Sequence, residues 1–245
     1  FKQLLMVSGI DKYFQIAPCF RDEDARADRT PGEFYQLDME MSYATQEDVF
    51  DVIEPVLYNT FKEFSGKEIT QYPFPRIKYS DAMLKYGSDK PDLRNPLEIV
   101  DATDIFAKLD LNAFKGKIVR VISTHDVAEQ PRSFFEGMTD YAINDLKAKG
   151  LAWLRIMDDL TLQGPIAKFI SEEAKNELIK RTESKAGDCF FFIAEVPGVV
   201  EKLAGQIRTE LGKRLNLIDD SKVEFCWIVD FPMYEINAEG KLDFC

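Results

Sequence analysis

The stretch that most restricts the fold is residues 13–43, YFQIAPCFRDEDARADRTPGEFYQLDMEMSY. Two runs of period-two alternation flank a loop of charged and turn-forming residues, which predicts a long-loop antiparallel β-hairpin. Successive strand side chains point to opposite faces, so Gln15, Ala17, Cys19, Arg21 and Glu23 share one face of the first run. In the second run Gln36, Asp38 and Glu40 share a face, while Tyr35, Leu37, Met39, Met41 and Tyr43 take the other. A half-exposed strand pair would give the same alternation. What sets this hairpin apart is the clustering of Arg21, Glu23, Asp38 and Glu40, expected at the mouths of both strands beside an Arg-rich loop. Such a surface suits a ligand carrying both an anion and an ammonium group.

The 245 residues suffice for one large domain or two ordinary ones. With 45% hydrophobic and 30% charged residues, the chain has the composition of an ordered soluble protein. No apolar run approaches the ~20 residues needed to cross a bilayer, and no signal peptide opens the chain. No membrane partner is expected, and a cytoplasmic location is. The four cysteines, Cys19, Cys189, Cys226 and Cys245, are scattered without a CxxC pair, and His125 is the single histidine. Reduced thiols and no metal site follow. A net charge of −12 argues against wrapping nucleic acid with the whole surface, but leaves room for a local basic patch.

Along the chain, Lys2 to Ser8 reads as the end of a helix stopped by Gly9. Thr45 and Asp48 form a capping box with Asp in place of Glu. The helix it starts carries Val49, Val52, Ile53, Val56, Leu57, Phe61 and Phe64 at helical spacing, closes at Gly66, and should be kinked or interrupted by Pro55. A short helix capped by Ser80 or Asp81 ends at Tyr86-Gly87. The segment Ser88-Asp89-Lys90-Pro91-Asp92 then reads as a turn, or as a loop that closes over a small polar ligand. From about Pro96 strands and helices alternate: Ile99-Val100, Lys117 to Ile122, helical Met138 to Lys149, Ile166 to Arg181, and the apolar run Cys189 to Ala194. This describes an α+β or α/β module of about 100 residues, large enough for its own core. His125 beside Asp126 and Glu129 reads as a solvated loop histidine, and Trp153 as packing. A helix through Val200, Leu203, Ile207, Leu211 and Leu215 leads to Phe225 to Phe231, expected to be a central strand. A second hairpin begins there, turns at Asn237 to Gly240 and returns through Leu242 and Phe244. Its return is cut short and the chain opens on Phe1, so we expect a piece of a longer protein.

The motif Phe20-Arg21-Asp22-Glu23, a variable loop Asp24 to Glu33, and Gln36-Leu37-Asp38-Met39-Glu40 closely resembles motif 2 of class II aminoacyl-tRNA synthetases. The longer strings FRDEDARADR, GEFYQLDMEMS, GSDKPDLR and WIVDFPMYE resemble the bacterial-type aspartyl-tRNA synthetase family, with the match loosest between about Pro96 and Leu215. The resemblance implies an α+β fold, a class II antiparallel sheet with flanking helices, present in part and interrupted by an inserted α/β domain shared with tRNA-dependent amidotransferases. Its implied boundaries are a catalytic segment at 1–95, the insertion at 96–215, and the catalytic domain resumed at 216–245, before motif 3.

The implied reaction is ATP-dependent activation of L-aspartate to aspartyl-adenylate, followed by transfer to the 3′ end of tRNA(Asp), with tRNA(Asn) as a further acceptor in some members. Arg21 would be catalytic, bridging the attacking carboxylate and the α-phosphate, a task for which the planar guanidinium fork suits better than an ammonium. ATP would be held by Arg21, Asp22 and Glu23, with Glu23 accepting from the adenine amino group. Aspartate would be held by Lys2, Arg21 and Asp38, with Asp38 on its ammonium. A cation facing the side-chain carboxylate tells Asp from Asn. Arg26 and Arg29 would reach the tRNA acceptor end, although solvated loop arginines would look the same. Thr30 departs from the family, where a Gln often helps hold ATP, and Gly32 is extra. Mg2+ and a homodimer are expected of the full-length enzyme. The metal-holding carboxylates would lie outside this chain, and the polypeptide alone should be inactive. The alternative is a non-catalytic tRNA- or protein-binding module built on residues 96–215.

Overall fold

The computed structural model of the chain describes residues 1–22, 32–236 and 240–244. It divides into two compact units, Phe1–Gly66 and Lys67–Cys245.

In the first unit, helix α1 (Lys2–Val7) closes through Ser8 and a Gly9 with φ of 98°. Strands β1 (Lys12–Phe20) and β2 (Glu33–Met41) then pair antiparallel without a bulge, from Lys12 opposite Met41 to Phe20 opposite Glu33. Helix α2 (Gln46–Phe64) begins with the expected capping box. The Thr45 hydroxyl accepts from the Asp48 amide at 3.4 Å, and the Asp48 carboxylate accepts from the Thr45 amide at 2.7 Å. Pro55 does not interrupt it: the helix is continuous across the proline. One missing backbone donor is a local loss, and Phe50 and Glu54, on the N-terminal side of the proline, are buried.

The second unit opens with β3 (Glu68–Ile69), β4 (Arg76–Lys78) and α3 (Tyr79–Tyr86). This helix starts one residue before Ser80, at the N-cap Lys78, which makes no side-chain cap, and ends at a left-handed Gly87. Next come β5 (Ile99–Asp101), α4 (Thr103–Phe106), β6 (Ile118–Thr124) and α5 (Arg132–Asp140), which runs into a π-turn at Tyr141–Asp145. The helical segment thus sits earlier than Met138 to Lys149, because Pro131 pre-sets its N-cap. Then follow β7 (Ala152–Ile156), β8 (Leu162–Gln163), a 3-10 turn at Ala167–Phe169, α6 (Glu172–Thr182), β9 (Cys189–Glu195) and α7 (Val199–Arg214). The chain closes with β10 (Lys222–Val223), β11 (Trp227–Val229), β12 (Tyr234–Ile236) and β13 (Leu242–Phe244).

Strands β5-β6-β9-β7-β8 form one sheet, antiparallel at every junction. The expected α/β module is therefore α+β in its sheet. Residues alternate across β9: Phe191 packs with Phe135 and Met138 on one face, while Phe190 and Phe192 pack with Phe106, Leu154 and Leu178 on the other. On either side of this module, β3 pairs with β10 and β4 with β11, so residues 68–78 meet residues 222–229. Both ladders are parallel, where the resemblance implied antiparallel neighbours. The long connection between the partners permits parallel pairing.

The expected central strand Phe225 to Phe231 is also shorter and less buried than its sequence suggested. Only Trp227–Val229 is strand, half-buried, and among the described residues it pairs with β4 alone. The ladder cannot extend, since α3 begins directly after Lys78 and Asp230 turns left-handed at φ 58°. The compact units divide at Gly66, and residues 79–95 pack closely on α7. A Cβ on Gly87 would collide with the Glu201 and Gly205 backbone, and one on Gly212 with Asn95.

Candidate functional site

Strand register decides what the polar face of the hairpin contains. Gln15 lies opposite Asp38, Ala17 opposite Gln36, and Tyr13 opposite Glu40, so these side chains share one face. Helix α1 brings Lys2 to the same place. Its ammonium donates to Asp38 Oδ1 at 2.8 Å and pairs with Glu40 Oε1 at 2.9 Å. Gln15 Nε2 donates to the other Asp38 oxygen at 3.2 Å. Each Asp38 oxygen thereby accepts one hydrogen bond and keeps a second lone pair, and the side chain is only 14% exposed.

The electrostatics follow from these contacts. The Lys2 hydrogen bond, with Gln15 adding to it, holds the Asp38 carboxyl below the usual aspartate range despite partial desolvation. Asp38 and then Glu40 raise the Lys2 ammonium above the usual lysine range. Asp38 and Lys2 are therefore both charged at neutral pH. An ammonium has three donors, so two carboxylates leave one for a ligand.

Arg21 follows the last residue of β1. Its amide donates to the Gly32 carbonyl at 2.9 Å, continuing the ladder, and its guanidinium lies over the Phe34 ring, 5.4 Å from the centroid. By strand parity Arg21 is on the polar face with Gln15 and Asp38. The expected clustering at the strand mouths is corrected here. Asp38 and Glu40 sit at the α1 end, and the backbone of Arg21 lies six residues along the strand from Gln15, roughly 20 Å at the usual rise. The face is a strip with a guanidinium at one end and the Lys2-Asp38-Glu40 cluster at the other.

Of the residues expected to bind, Lys2 and Asp38 are in direct contact, Arg21 shares their face, and Asp22 is exposed just beyond it. Glu23, Arg26, Arg29 and Thr30 lie outside the described residues. Glu40 belongs to the expected charged surface without a binding role of its own, and Gln15 is expected on the polar face alone. Their alternation was visible, whereas the cross-strand register that sets Gln15 against Asp38 was not.

In the second unit, the Ser88–Asp92 segment is pinned. The buried Arg208 of α7 donates to the Asp92, Asn95 and Leu97 carbonyls, and its guanidinium stacks over Tyr86 at 4.9 Å. Arg94 bonds Asp92 and reaches Asp220 at 3.1 Å. The partner of His125 is neither Asp126 nor Glu129 but the fully buried Asp188, 3.0 Å from Nδ1. Trp153 packs on Phe135 at 4.5 Å. Among the described residues no three of His, Cys, Asp and Glu are grouped to hold a metal ion. No described helix is long and apolar enough to cross a membrane.

A family model described as tRNA synthetases class II (D, K and N) matches residues 1–241. The chain is 56% identical over 245 residues to an aspartate–tRNA ligase of Streptomyces avermitilis, covering all of this chain and 42% of that protein. It is 54% identical over 246 residues to an aspartate–tRNA(Asp/Asn) ligase of Ehrlichia chaffeensis, covering 98% of this chain and 41% of that one. The chain thus spans about two-fifths of the length of the curated relatives it matches. With the family model matching nearly the whole sequence, the chain belongs to the class II tRNA synthetases of the D, K and N group.

Proposed function

We propose that this chain supplies the aspartate- and ATP-binding face of an aspartate–tRNA ligase, which forms aspartyl-adenylate from ATP and L-aspartate and passes the aspartate to the 3′ end of tRNA(Asp). The observation that carries the reading is the strip itself: Lys2, Gln15, Asp38 and Glu40 at one end and Arg21 at the other, on one strand face. Its two kinds of charge suit an aminoacyl-adenylate, which joins an ammonium and a carboxylate to a phosphate.

Each residue then has a task. Asp38 takes the substrate ammonium. The third donor of Lys2 takes the side-chain carboxylate, which an amide would satisfy less well, so aspartate is preferred over asparagine. Gln15 and Glu40 hold Asp38 and Lys2 in place. Arg21 neutralises charge as the carboxylate attacks the α-phosphate, and Phe34 restricts where the guanidinium can lie. Asp22 and Glu23 contribute to the ATP site, and Arg26 and Arg29 to the tRNA acceptor end. Mg2+ accompanies ATP in such reactions, and among the described residues no three of His, Cys, Asp and Glu form a ligand set for it.

Residues 96–215 act as an inserted domain. The support is that the chain leaves after β4 and α3 and returns at β10 and β11, which pair with β3 and β4. A cytoplasmic homodimer and charging of tRNA(Asn), as the name of the Ehrlichia relative includes, complete the proposal. The test is aspartate-dependent ATP–pyrophosphate exchange by the full-length enzyme. L-Aspartate should support it and L-asparagine should not, and Arg21→Ala should slow it on the order of 10²-fold. Equal exchange with asparagine, or an unchanged rate for Arg21→Ala, would refute the assignment. Charging assays with purified tRNA(Asp) and tRNA(Asn) decide the acceptor.

A further inference from the structure

One face of the five-stranded sheet is unevenly covered. Around Phe190, Leu154 and Leu178 it is roofed by α4 and α6. Toward the other end of β9 and the start of β7, the same face carries Ala194 and Ala152, with Ala152 directly opposite Phe192. These small side chains do not fill the space beneath Phe114 and Ile166. A cavity of about 460 Å³ results, within the range of small-molecule sites.

The walls are apolar: Phe114 and Phe192 are 8% and 1% exposed, and Leu151 and Ile166 are also buried. Among the described residues, the only ionisable ones lining the cavity are Lys117 and Lys149. One carboxylate stands nearby, Glu195, which accepts from Lys149 at 3.1 Å and from the Val196 amide at 3.3 Å. Two ammoniums against one carboxylate leave a net positive charge at an apolar cavity, on a chain whose net charge is −12. The larger cavity beside α5 differs. Its Arg132 pairs with Glu136 at 2.7 Å, and Arg155 and Asp140 balance each other in sign, so it selects no ligand charge.

We propose that the alanine-floored cavity between β7, β9 and the Phe114–Lys117 turn binds a small amphiphilic anion, an alkyl or aryl carboxylate. Its apolar body would lie on Ala152, Ala194 and Phe192, and its head would lie between Lys117 and Lys149. Apolar burial supplies the affinity, and the two ammoniums select the sign of the head group. Occupancy would stiffen this module at a site separate from the hairpin residues assigned above.

Methyl NMR on the full chain, with decanoate as the probe, tests this. Decanoate should shift the Ala152, Ala194 and Ile166 methyls. 1-Decanol should bind at the same methyls about tenfold more weakly, and decyltrimethylammonium should not bind. Lys117→Gln with Lys149→Gln should lower decanoate affinity to that of the alcohol. Ala194→Leu, which fills the floor, should abolish binding of both. Unshifted methyls at millimolar decanoate, equal binding of cation and anion, or binding unchanged by the lysine pair would overturn the proposal. Lys117 and Lys149 lie outside the apolar core, so the outcome of the lysine variants stands even if Ala194→Leu does not fold.

Discussion

The hairpin of the first unit and the sheet of the second are both antiparallel β-structure, yet they are built for opposite ends. Along β9, six of seven residues are buried. Along β1 none is, and the reverse face of the hairpin leaves Phe14, Ile16, Phe20 and Tyr35 each about 70% exposed. The sheet takes its stability from side chains that touch only protein. The hairpin commits its charged side chains to a face that a ligand can reach, with Lys2, Asp38 and Glu40 neutralising one another meanwhile. Burial and reactivity are divided between the two, so substitutions in one should be silent in the assay that reports on the other.

The largest break in that division should come from Phe191→Ala. Phe191 is fully buried and packs against Phe135 and Phe134. Its loss should cost about 3–5 kcal/mol in urea unfolding while leaving the amide shifts of 12–20 and 33–41 unchanged. Arg208→Met comes next, at about 3 kcal/mol, because three carbonyls, two of them buried, lose a charged donor at once. It should also release Asp92, and hydrogen exchange at 88–95 would show it. Thr45→Ala removes one side of the capping box and should cost about 1 kcal/mol, read in the helical circular dichroism of α2.

The smallest change in stability and the clearest change in chemistry belong to Lys2→Ala. Because the folded Asp38 carboxyl is held low, its stabilising contribution is present above the unfolded value and fades as pH falls through the folded one. Lys2 works in the opposite sense: its raised ammonium contributes below the usual lysine range and loses that contribution as pH rises through the folded value. Carbon-detected titration of Asp38 should therefore move upward in Lys2→Ala, with a small fall in the urea midpoint at neutral pH. An unmoved titration would mean that the ion pair does not form in solution.

The sequence made some of this architecture readable. Period-two alternation located both strands of the hairpin, Thr45 and Asp48 marked a helix start that the structure keeps, and CFFFIA was the buried strand β9. Other features depend on partners distant in the chain. That Phe225 to Phe231 yields three strand residues follows from where α3 begins, well over a hundred residues earlier. That His125 bonds Asp188 follows from the pairing of β6 with β9. In the proposed site, residue types pointed to Arg21 and Asp38, and the family resemblance to Lys2. The part of Gln15 emerged only with register, because a one-residue slip would have sent it to the other face.

The central claim is that the polar strip of the hairpin binds aspartate through Asp38. The most direct test is Asp38→Asn in the full-length enzyme, measured by aspartate-dependent ATP–pyrophosphate exchange beside the urea midpoint. Removing the carboxylate that faces the substrate ammonium should lower kcat/KM for aspartate on the order of 10²-fold, with the midpoint unchanged. An unaltered kcat/KM, or a loss matched by a fall in the midpoint, would contradict the account.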